Sequence, residues 1–376
     1  MALESNPAQG FFGQPAPGAS ARGTACQESS DRNHGCPEMS SLSCKSPAMD
    51  MPDEVRLQDS PCPLGCINDD EFVLEGRDRL HGLQGIFHVV RCTGCGLMRT
   101  NPRPTPETMA YYYPEDYGPY KGTQVRTAPS GQPDKANGPL RTWAKRFVDF
   151  RSHAIPHLQP GRMLEIGCAS GAFMHRMARL DWDVHGIEFS ATAAARARDL
   201  GYPVFAGSVE DAAETGELND LIVGWMVLEH LHEPVAALRK LRRMATPHAW
   251  LVLSVPDAGS FEFRMFGNAW YALQLPNHLY HFTPTTLTRM LKAAGLAVHR
   301  IFHQRVTNLP GSVALAWEER HPESSWARRL RSWALNTPLS ANLALFPLEW
   351  LLASFGRSGR MTVWARPMND QHKESP

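Results

Sequence analysis

Residues 163–171 read Met-Leu-Glu-Ile-Gly-Cys-Ala-Ser-Gly, and this stretch decides the fold. A short apolar run ends in Glu165, and small residues follow at Gly167, Ala169 and Gly171 before a helix-forming segment. Small turn residues let the backbone approach a ligand closely, and the first N–H groups of a helix are free to bind an anionic group. The pattern predicts a strand, a tight turn and a helix that together form a nucleotide-sized site.

The segments that follow extend this unit into an alternating series. A second strand is predicted at Asp183–Glu188, and its last residue lies about 20 residues beyond Gly167, the distance at which an acid reaches a ribose. Further strands are predicted at 203–206, 220–223, 250–255 and 296–303. Such alternation indicates a parallel sheet covered on both faces, with the ligand at the carboxyl edge of the strands. A dinucleotide fingerprint fits poorly, because Ala169 and Ala172 stand where it needs glycine.

The pattern Glu-x-Gly-x-(Gly/Ala)-x-Gly at 165–171, together with Val-Leu-Glu-His at 227–230, resembles the class I S-adenosylmethionine-dependent methyltransferases. The resemblance implies an α/β fold with a doubly wound, seven-stranded, mostly parallel sheet whose last strand, 361–365, is antiparallel. It also implies that Val209 and Glu210 flank the adenine of bound S-adenosylmethionine. The cofactor-binding set it implies is Glu165, Gly167, Cys168, Ala169, Ser170, Gly171, Glu188, Phe189, Val209, Glu210, Trp225, Met226 and Leu228.

Four cysteines precede this domain in two pairs, Cys62 with Cys66 and Cys92 with Cys95. Two such pairs around a hairpin-sized gap are typical of a zinc ribbon. A structural Zn²⁺ has a physical purpose here, because so small a module buries little apolar surface of its own. Four buried free cysteines are the alternative.

The same module carries a second resemblance to this methyltransferase branch. The matching residues are Cys-Thr-Gly-Cys-Gly-Leu at 92–97, Asn-Pro-Arg-Pro at 101–104 and the tyrosines of 111–117. Two interpretations of the tyrosine cluster remain open: it covers the cofactor cleft, or it packs the module against the main domain.

The predicted organisation has five parts. Residues 1–55 form a disordered tail rich in Pro, Gly, Ser and Ala, although Met51 is an alternative start of translation. Residues 56–120 form the zinc-ribbon-like module and 121–138 a linker. Residues 139–368 form the cofactor-binding domain, which opens with a helix over 140–157 and contains a helical insertion over 304–358. Residues 369–376 form a short tail.

Within the insertion, segment 339–355 is strongly apolar. Core packing or a homodimer face is one interpretation, and an interfacial membrane helix is the other. The flanking arginines at 328, 329, 331, 357 and 360 suit contact with anionic lipid.

Composition favours an intracellular enzyme. The chain has 376 residues, with 38 basic and 38 acidic side chains and a net charge of zero. This balance disfavours nucleic acid as a partner, since nucleic acid usually requires a basic face. We find neither a signal-peptide pattern nor about 18 consecutive apolar residues that would span a membrane. The expected location is the cytoplasm, with peripheral contact at the inner face of the membrane as an alternative.

Methyl transfer from a sulfonium needs mainly positioning and exclusion of water. A general base is needed only where the acceptor must lose a proton, and histidine is the usual base near neutral pH. His278 and His281 follow the fifth predicted strand, and His230 follows the fourth. These three are the candidate catalytic residues, and a packing role is the alternative for each.

The predicted function is transfer of a methyl group to a small molecule, a saccharide or a lipid-linked glycan, on oxygen or carbon. Two other classes stay open: an RNA methyltransferase whose zinc module grips the nucleic acid, and a non-catalytic protein that binds the cofactor.

Overall fold

The computed structural model describes residues 51–67, 69–114, 150–335 and 339–368, without the side chains of 327, 334, 335 and 339–342. These residues fall within one unit, Ala48–Pro376. The predicted linker at 121–138, most of the predicted tail at 1–55 and the predicted tail at 369–376 lie outside the described residues. The predicted boundary between module and domain, at residue 120, also lies outside the described residues. These divisions therefore stay predictions.

The strands are β1 Leu57–Gln58, β2 Asp70–Arg77, β3 Ile86–Cys92, β4 Met98–Thr100, β5 Arg103–Pro104, β6 Arg162–Ile166, β7 Asp183–Glu188, β8 Val204–Ala206, β9 Asn219–Trp225, β10 Ala245–Pro256, β11 Tyr280–His281, β12 Leu296–His303 and β13 Arg360–Pro367. The helices are α1 Ala172–Ala178, α2 Ala191–Asp199, α3 Pro234–Arg243, α4 Phe261–Phe266, α5 Pro284–Ala293, α6 Leu309–Arg320, α7 Ser325–Leu335 and α8 Leu339–Ser354. Short 3₁₀ turns occupy Met109–Tyr112, Leu228–His230 and Gly267–Ala269.

The main sheet has seven strands in the order β12-β13-β10-β9-β6-β7-β8. All neighbours pair in parallel except β13, which is antiparallel to both β10 and β12. The central strands are apolar runs, such as Leu221–Val223, because helices cover both faces of the sheet. The sequence prediction of a doubly wound, mostly parallel sheet with an antiparallel last strand is confirmed.

The chain leaves β6 toward β7 on one side and later returns to β9 on the other. Strand order reverses at this point, and ligands of such sheets bind in the crevice beyond the carboxyl ends of the strands there. The turn at 167–171 lies at the carboxyl end of β6, so the topology places it in this crevice.

The cysteine module is joined to the main domain by backbone pairing. Its sheet has the order β11-β4-β3-β2, and β11 comes from the segment that follows β10. Tyr280 pairs with Arg99 and His281 with Met98 in antiparallel register. Arg289 on α5 also donates a 2.8 Å hydrogen bond to the carbonyl oxygen of Cys95. The segment around residues 276–282 is thus a structural bridge between module and domain.

The predicted helix over 140–157 is wrong in the part that can be described. Residues 150–157 form no helix, and 140–149 lie outside the described residues. Arg151 has a φ of 53°, and Pro156 disfavours helical backbone at the residue before it. Within the predicted insertion over 304–358, the structure describes the helices α6, α7 and α8. None of the described helices is both long and apolar enough to cross a membrane.

Candidate active site

The turn after β6 has the backbone geometry of a close ligand approach. Gly167 has a φ of 62°, and a Cβ atom added there would lie 2.4 Å from Cγ2 of Val227. Ala169 is also left-handed, with a φ of 47°, and Gly171 caps α1 with a φ of 80°. Glycine is required at 167 by both conformation and space, which explains the pattern that the sequence displays.

Glu188 lies at the carboxyl end of β7 and faces this turn. Its Oε2 accepts a 2.8 Å hydrogen bond from the N–H of Ala169, and its Oε1 accepts one of 2.8 Å from the N–H of Ser190. Burial raises the pKa of this carboxyl, whereas the backbone donors lower it. Each oxygen still has lone-pair capacity, so the carboxylate can also accept from two vicinal hydroxyl groups.

A cavity of about 470 Å³ opens beside Glu188, within the size range of cofactor sites. Eight of the thirteen predicted cofactor residues line it: Gly167, Ala169, Glu188, Phe189, Val209, Glu210, Trp225 and Met226. The carboxyl ends of β6, β7, β8 and β9 therefore bring together residues that are up to about 60 positions apart in the sequence.

The other five predicted cofactor residues do not line the cavity: Glu165, Cys168, Ser170, Gly171 and Leu228. Leu228 and Cys168 are buried in the core, and burial raises the pKa of the Cys168 thiol. Glu165 is buried with no hydrogen-bond partner at Oε2 among the described residues, and burial holds the pKa of its carboxyl well above the usual range.

The module contributes to the same cavity through Pro106, Met109 and Tyr113. The Tyr113 hydroxyl lies 2.8 Å from Nδ1 of His230. Its neighbour Tyr112 is fully buried and donates to the carbonyl oxygen of Gln84 at 2.8 Å. Tyr113 therefore borders the cleft, whereas Tyr112 is packed in the hydrophobic core. Tyr117 lies outside the described residues. Local sequence pattern gave no signal for Pro106 and Met109.

Of the three candidate catalytic histidines, only His230 lines the cavity. Its Nδ1 also lies 2.9 Å from the carbonyl oxygen of Asn277. A carbonyl oxygen can only accept, so Nδ1 carries the hydrogen and Nε2 keeps a lone pair. Burial lowers the pKa of His230 to about 4, so the ring is neutral at physiological pH.

His278 and His281 lie behind the cavity, on the bridge between module and domain. His278 is buried, and its Nδ1 lies 2.8 Å from the carbonyl oxygen of Ala272. His281 is buried with Nε2 3.3 Å from the hydroxyl of Thr100. Burial lowers the pKa of His281 to about 3 and that of His278 well below its usual range. These contacts favour the packing alternative for both residues, and their catalytic role stays a prediction.

Glu229 adds a second buried acid that the sequence analysis did not select. Neither of its carboxylate oxygens has a partner among the described residues, and burial raises its pKa to about 8. One of these oxygens lies within 4.8 Å of a ring nitrogen of His230 and one of His278. The raised pKa means that the side chain is mostly a neutral carboxylic acid at pH 7.

The four module cysteines converge as predicted. Their Sγ atoms all lie within 4.8 Å of one another, and Cys62 and Cys95 are 3.5 Å apart. Tetrahedral Zn–S bonds of about 2.3 Å require sulfur separations of about 3.8 Å. Each pair closes a turn with a left-handed glycine, Gly65 at 75° and Gly96 at 77°. The donor set and its geometry fit a four-thiolate zinc site.

Comparison with known proteins agrees with this geometry. A family model described as "Methyltransferase domain" matches residues 140–301. A ubiquinone biosynthesis O-methyltransferase of Cereibacter sphaeroides is 30% identical over 147 residues, which are 36% of this chain and 60% of that enzyme. The counterpart from Paraburkholderia phymatum is 30% identical over 164 residues, 40% of this chain and 69% of that enzyme.

Solved structures show weaker likeness. The CcbJ methyltransferase from Streptomyces caelestis is 13% identical with a TM-score of 0.36, covering 55% of this chain and 84% of that one, too distant to carry an argument. The sequence relatives, the sheet topology and the crevice residues agree with one another. The chain belongs to the class I S-adenosylmethionine-dependent methyltransferases.

Proposed function

We propose that this protein transfers the methyl group of S-adenosylmethionine to a hydroxyl oxygen of a small-molecule acceptor. The observation that carries the proposal is the cavity that Glu188 and His230 share. It offers a carboxylate for a ribose and a neutral imidazole for an acceptor proton within one cleft. Bound there, S-adenosylmethionine supplies a methyl group already activated by its sulfonium.

The cofactor would be held by groups that differ in chemistry along the cleft. Glu188 accepts from the ribose hydroxyls, and Val209 and Glu210 border the adenine. Trp225 and Met226 border the methionine portion, where Met226 has a φ of 59°. The indole N–H of Trp225 is buried without an acceptor among the described residues, so it is available to a ligand carboxylate.

His230 is the base we propose. Its Nδ1–H is fixed by the carbonyl oxygen of Asn277, so Nε2 receives the hydroxyl proton as the acceptor oxygen forms its bond to the methyl carbon. Bound S-adenosylmethionine would supply the methyl carbon, and its sulfur would keep the electron pair of the carbon–sulfur bond. A ring with a pKa near 4 is a weak base, so orientation and exclusion of water supply most of the acceleration.

We infer the class of methyl acceptor from the matched O-methyltransferases and from the net charge of the chain. The matched O-methyltransferases are named for ubiquinone biosynthesis, which favours a small organic acceptor with a hydroxyl group. Saccharide and lipid-linked glycan acceptors remain predictions from the sequence. A net charge of zero disfavours RNA.

We also propose that Cys62, Cys66, Cys92 and Cys95 hold a structural Zn²⁺. Four thiolates leave no open position for a reacting group. The ion would fix the loop that leads to β4, and through it the module residues that border the cleft.

The acceptor is tested with purified protein, methyl-labelled S-adenosylmethionine and fractionated cell material. Label in the small-molecule or lipid fraction, lost in the His230→Gln variant, is the expected result. Label in RNA or protein alone would contradict the proposal. Binding of the cofactor with no label in any fraction would favour the non-catalytic alternative.

A further inference from the structure

The helical insertion exposes an unusual amount of apolar surface. Of the 17 large apolar side chains that are exposed among the described residues, eight lie in segment 304–358. They are Val313, Trp317, Trp326, Trp333, Leu348, Trp350, Leu351 and Phe355. Contiguous exposed apolar patches mark interaction sites, whereas scattered single residues do not.

Four of these residues are neighbours on α6 and α7. Val313 and Trp317 are four positions apart on α6, and Trp326 and Trp333 are seven apart on α7, so each pair lies on one side of its helix. The rings of Trp317 and Trp326 meet edge to face with centroids 5.4 Å apart. We call Val313, Trp317, Trp326 and Trp333 the aromatic face.

Positive charge surrounds the aromatic face. Arg320, Arg328 and Arg329 are exposed, and none of them makes an ion pair with another described residue. Two glutamates of this region form ion pairs, Glu318 with Arg331 at 3.3 Å and Glu319 with Arg79 at 2.9 Å, and a third, Glu323, is exposed. The face therefore presents tryptophan rings beside guanidinium groups that form no ion pair, and these three arginines outnumber the exposed Glu323.

We propose that the aromatic face binds the surface of a bilayer that contains anionic lipid. Tryptophan has an apolar ring and a polar N–H and is enriched at the membrane–water boundary. Guanidinium groups beside it are attracted by anionic headgroups. Such contact is one of the two interpretations of segment 339–355 that the sequence leaves open. The aromatic face on α6 and α7 adds to it, and Leu351 and Phe355 on α8 are 47% and 74% exposed.

A second copy of the chain is a poorer occupant of this surface. A two-fold contact through this face would bring three arginines from each copy into one interface, and like charges that lose water without partners are costly. The membrane proposal does not depend on which acceptor is methylated, because vesicle binding is measured without turnover.

The test is flotation of the purified full chain with vesicles of phosphatidylcholine alone or with one quarter phosphatidylglycerol. The test variant combines Trp326→Ser with Arg329→Gln. A matched control combines Leu180→Ser with Arg179→Gln, since Leu180 and Arg179 are also exposed but lie at the end of α1. Affinity for S-adenosylhomocysteine and the melting temperature verify that each variant is folded.

The expected result is flotation with the anionic vesicles, at least tenfold weaker for the test variant and unchanged for the control. Added salt should weaken it, since exposed charges are screened. Absence of flotation, or equal loss in the control, would overturn the proposal. A wild-type dimer by light scattering that Trp326→Ser dissociates would instead assign the surface to a second copy.

Discussion

At the scale of single residues, the site rests on Gly167 and its contact with Val227. The left-handed backbone of Gly167 turns the chain toward the cleft. The Val227 side chain occupies the space that a Cβ atom at residue 167 would need. The nucleotide-binding turn and the Val-Leu-Glu-His segment are thus fitted against each other. Two motifs 60 residues apart in the sequence form one wall of the cavity.

The variant Gly167→Ala tests this fit against Gly201→Ala. Both glycines are left-handed, but an added Cβ would meet nothing within 4 Å at Gly201. Gly201→Ala should cost only the backbone strain, about 1–2 kcal/mol. Gly167→Ala should cost a further ~1–3 kcal/mol from overpacking against Val227, measured by urea denaturation. Equal losses of unfolding free energy in the two variants would show that the Val227 side chain moves aside without cost. Adding Val227→Ala should restore most of the difference.

The variant His230→Gln tests the proposed base. We expect kcat to fall by about 10²–10⁴, with affinity for S-adenosylhomocysteine within about threefold of wild type. Because the pKa of His230 is lowered to about 4, wild-type kcat should not fall between pH 8 and about pH 5.5 through protonation of this residue. A titration near pH 6.5 that disappears in the variant would contradict the assignment.

At the scale of elements, pairing between β4 and β11 connects the four-cysteine cluster to the cleft. The Thr100 hydroxyl donates to the carbonyl oxygen of His278 at 2.8 Å, although the two residues are 178 positions apart. Asn277 on the same bridge donates to the carbonyl oxygen of Tyr112 at 2.8 Å. The position of Tyr113 at the cavity therefore depends on the module being folded.

Loss of the metal should therefore weaken binding in the cofactor cleft. Elemental analysis of the wild-type chain is expected to find one zinc, and Cys92→Ser should remove it and lower the melting temperature. Affinity for S-adenosylhomocysteine should weaken as well, because Pro106, Met109 and Tyr113 lose their support. A chelator should weaken the binding of S-adenosylhomocysteine to the wild type and leave its binding to Cys92→Ser unchanged. A metal-free wild type of undiminished stability would refute the zinc proposal.

At the scale of the whole molecule, local pattern in the sequence predicts the main sheet better than it predicts the cleft. Strands buried on both faces, such as Leu221–Val223, are continuous apolar runs. Glu188 is the last residue of β7, at a distance from Gly167 that is typical of this fold. The cleft wall formed by Pro106, Met109 and Tyr113 depends on pairing between distant segments, which no local periodicity encodes. The polar contacts of His278 and His281 depend on the same pairing.

Buried histidines should make the stability of the whole chain depend on pH. Burial lowers the pKa of His281 to about 3, so the unfolded chain takes up its proton first. The stability due to this residue is present above pH 6.5 and is lost as the pH falls toward 3. Glu229, with a pKa raised to about 8, has the opposite sign: its stabilisation is lost as the pH rises through 8.

Comparing the wild type with His281→Asn isolates the effect of His281, because Glu229 is present in both proteins. Between pH 7 and pH 5 the melting temperature of His281→Asn should fall less than that of the wild type. His248→Asn, at an exposed position, should follow the wild type. Parallel curves for all three proteins would show that His281 does not titrate on unfolding.

We expect the cleft at the carboxyl ends of β6, β7 and β9 to bind S-adenosylmethionine through Glu188. Calorimetric titration of the purified chain with S-adenosylhomocysteine tests it most directly. We predict one site per chain, weakened in Glu188→Ala by about 1–3 kcal/mol, the cost of lost hydrogen bonds to a charged group. Affinity should be little changed in Glu214→Gln, a control at a glutamate that does not line the cavity. No heat with the wild type, or equal affinity in Glu188→Ala, would contradict the account.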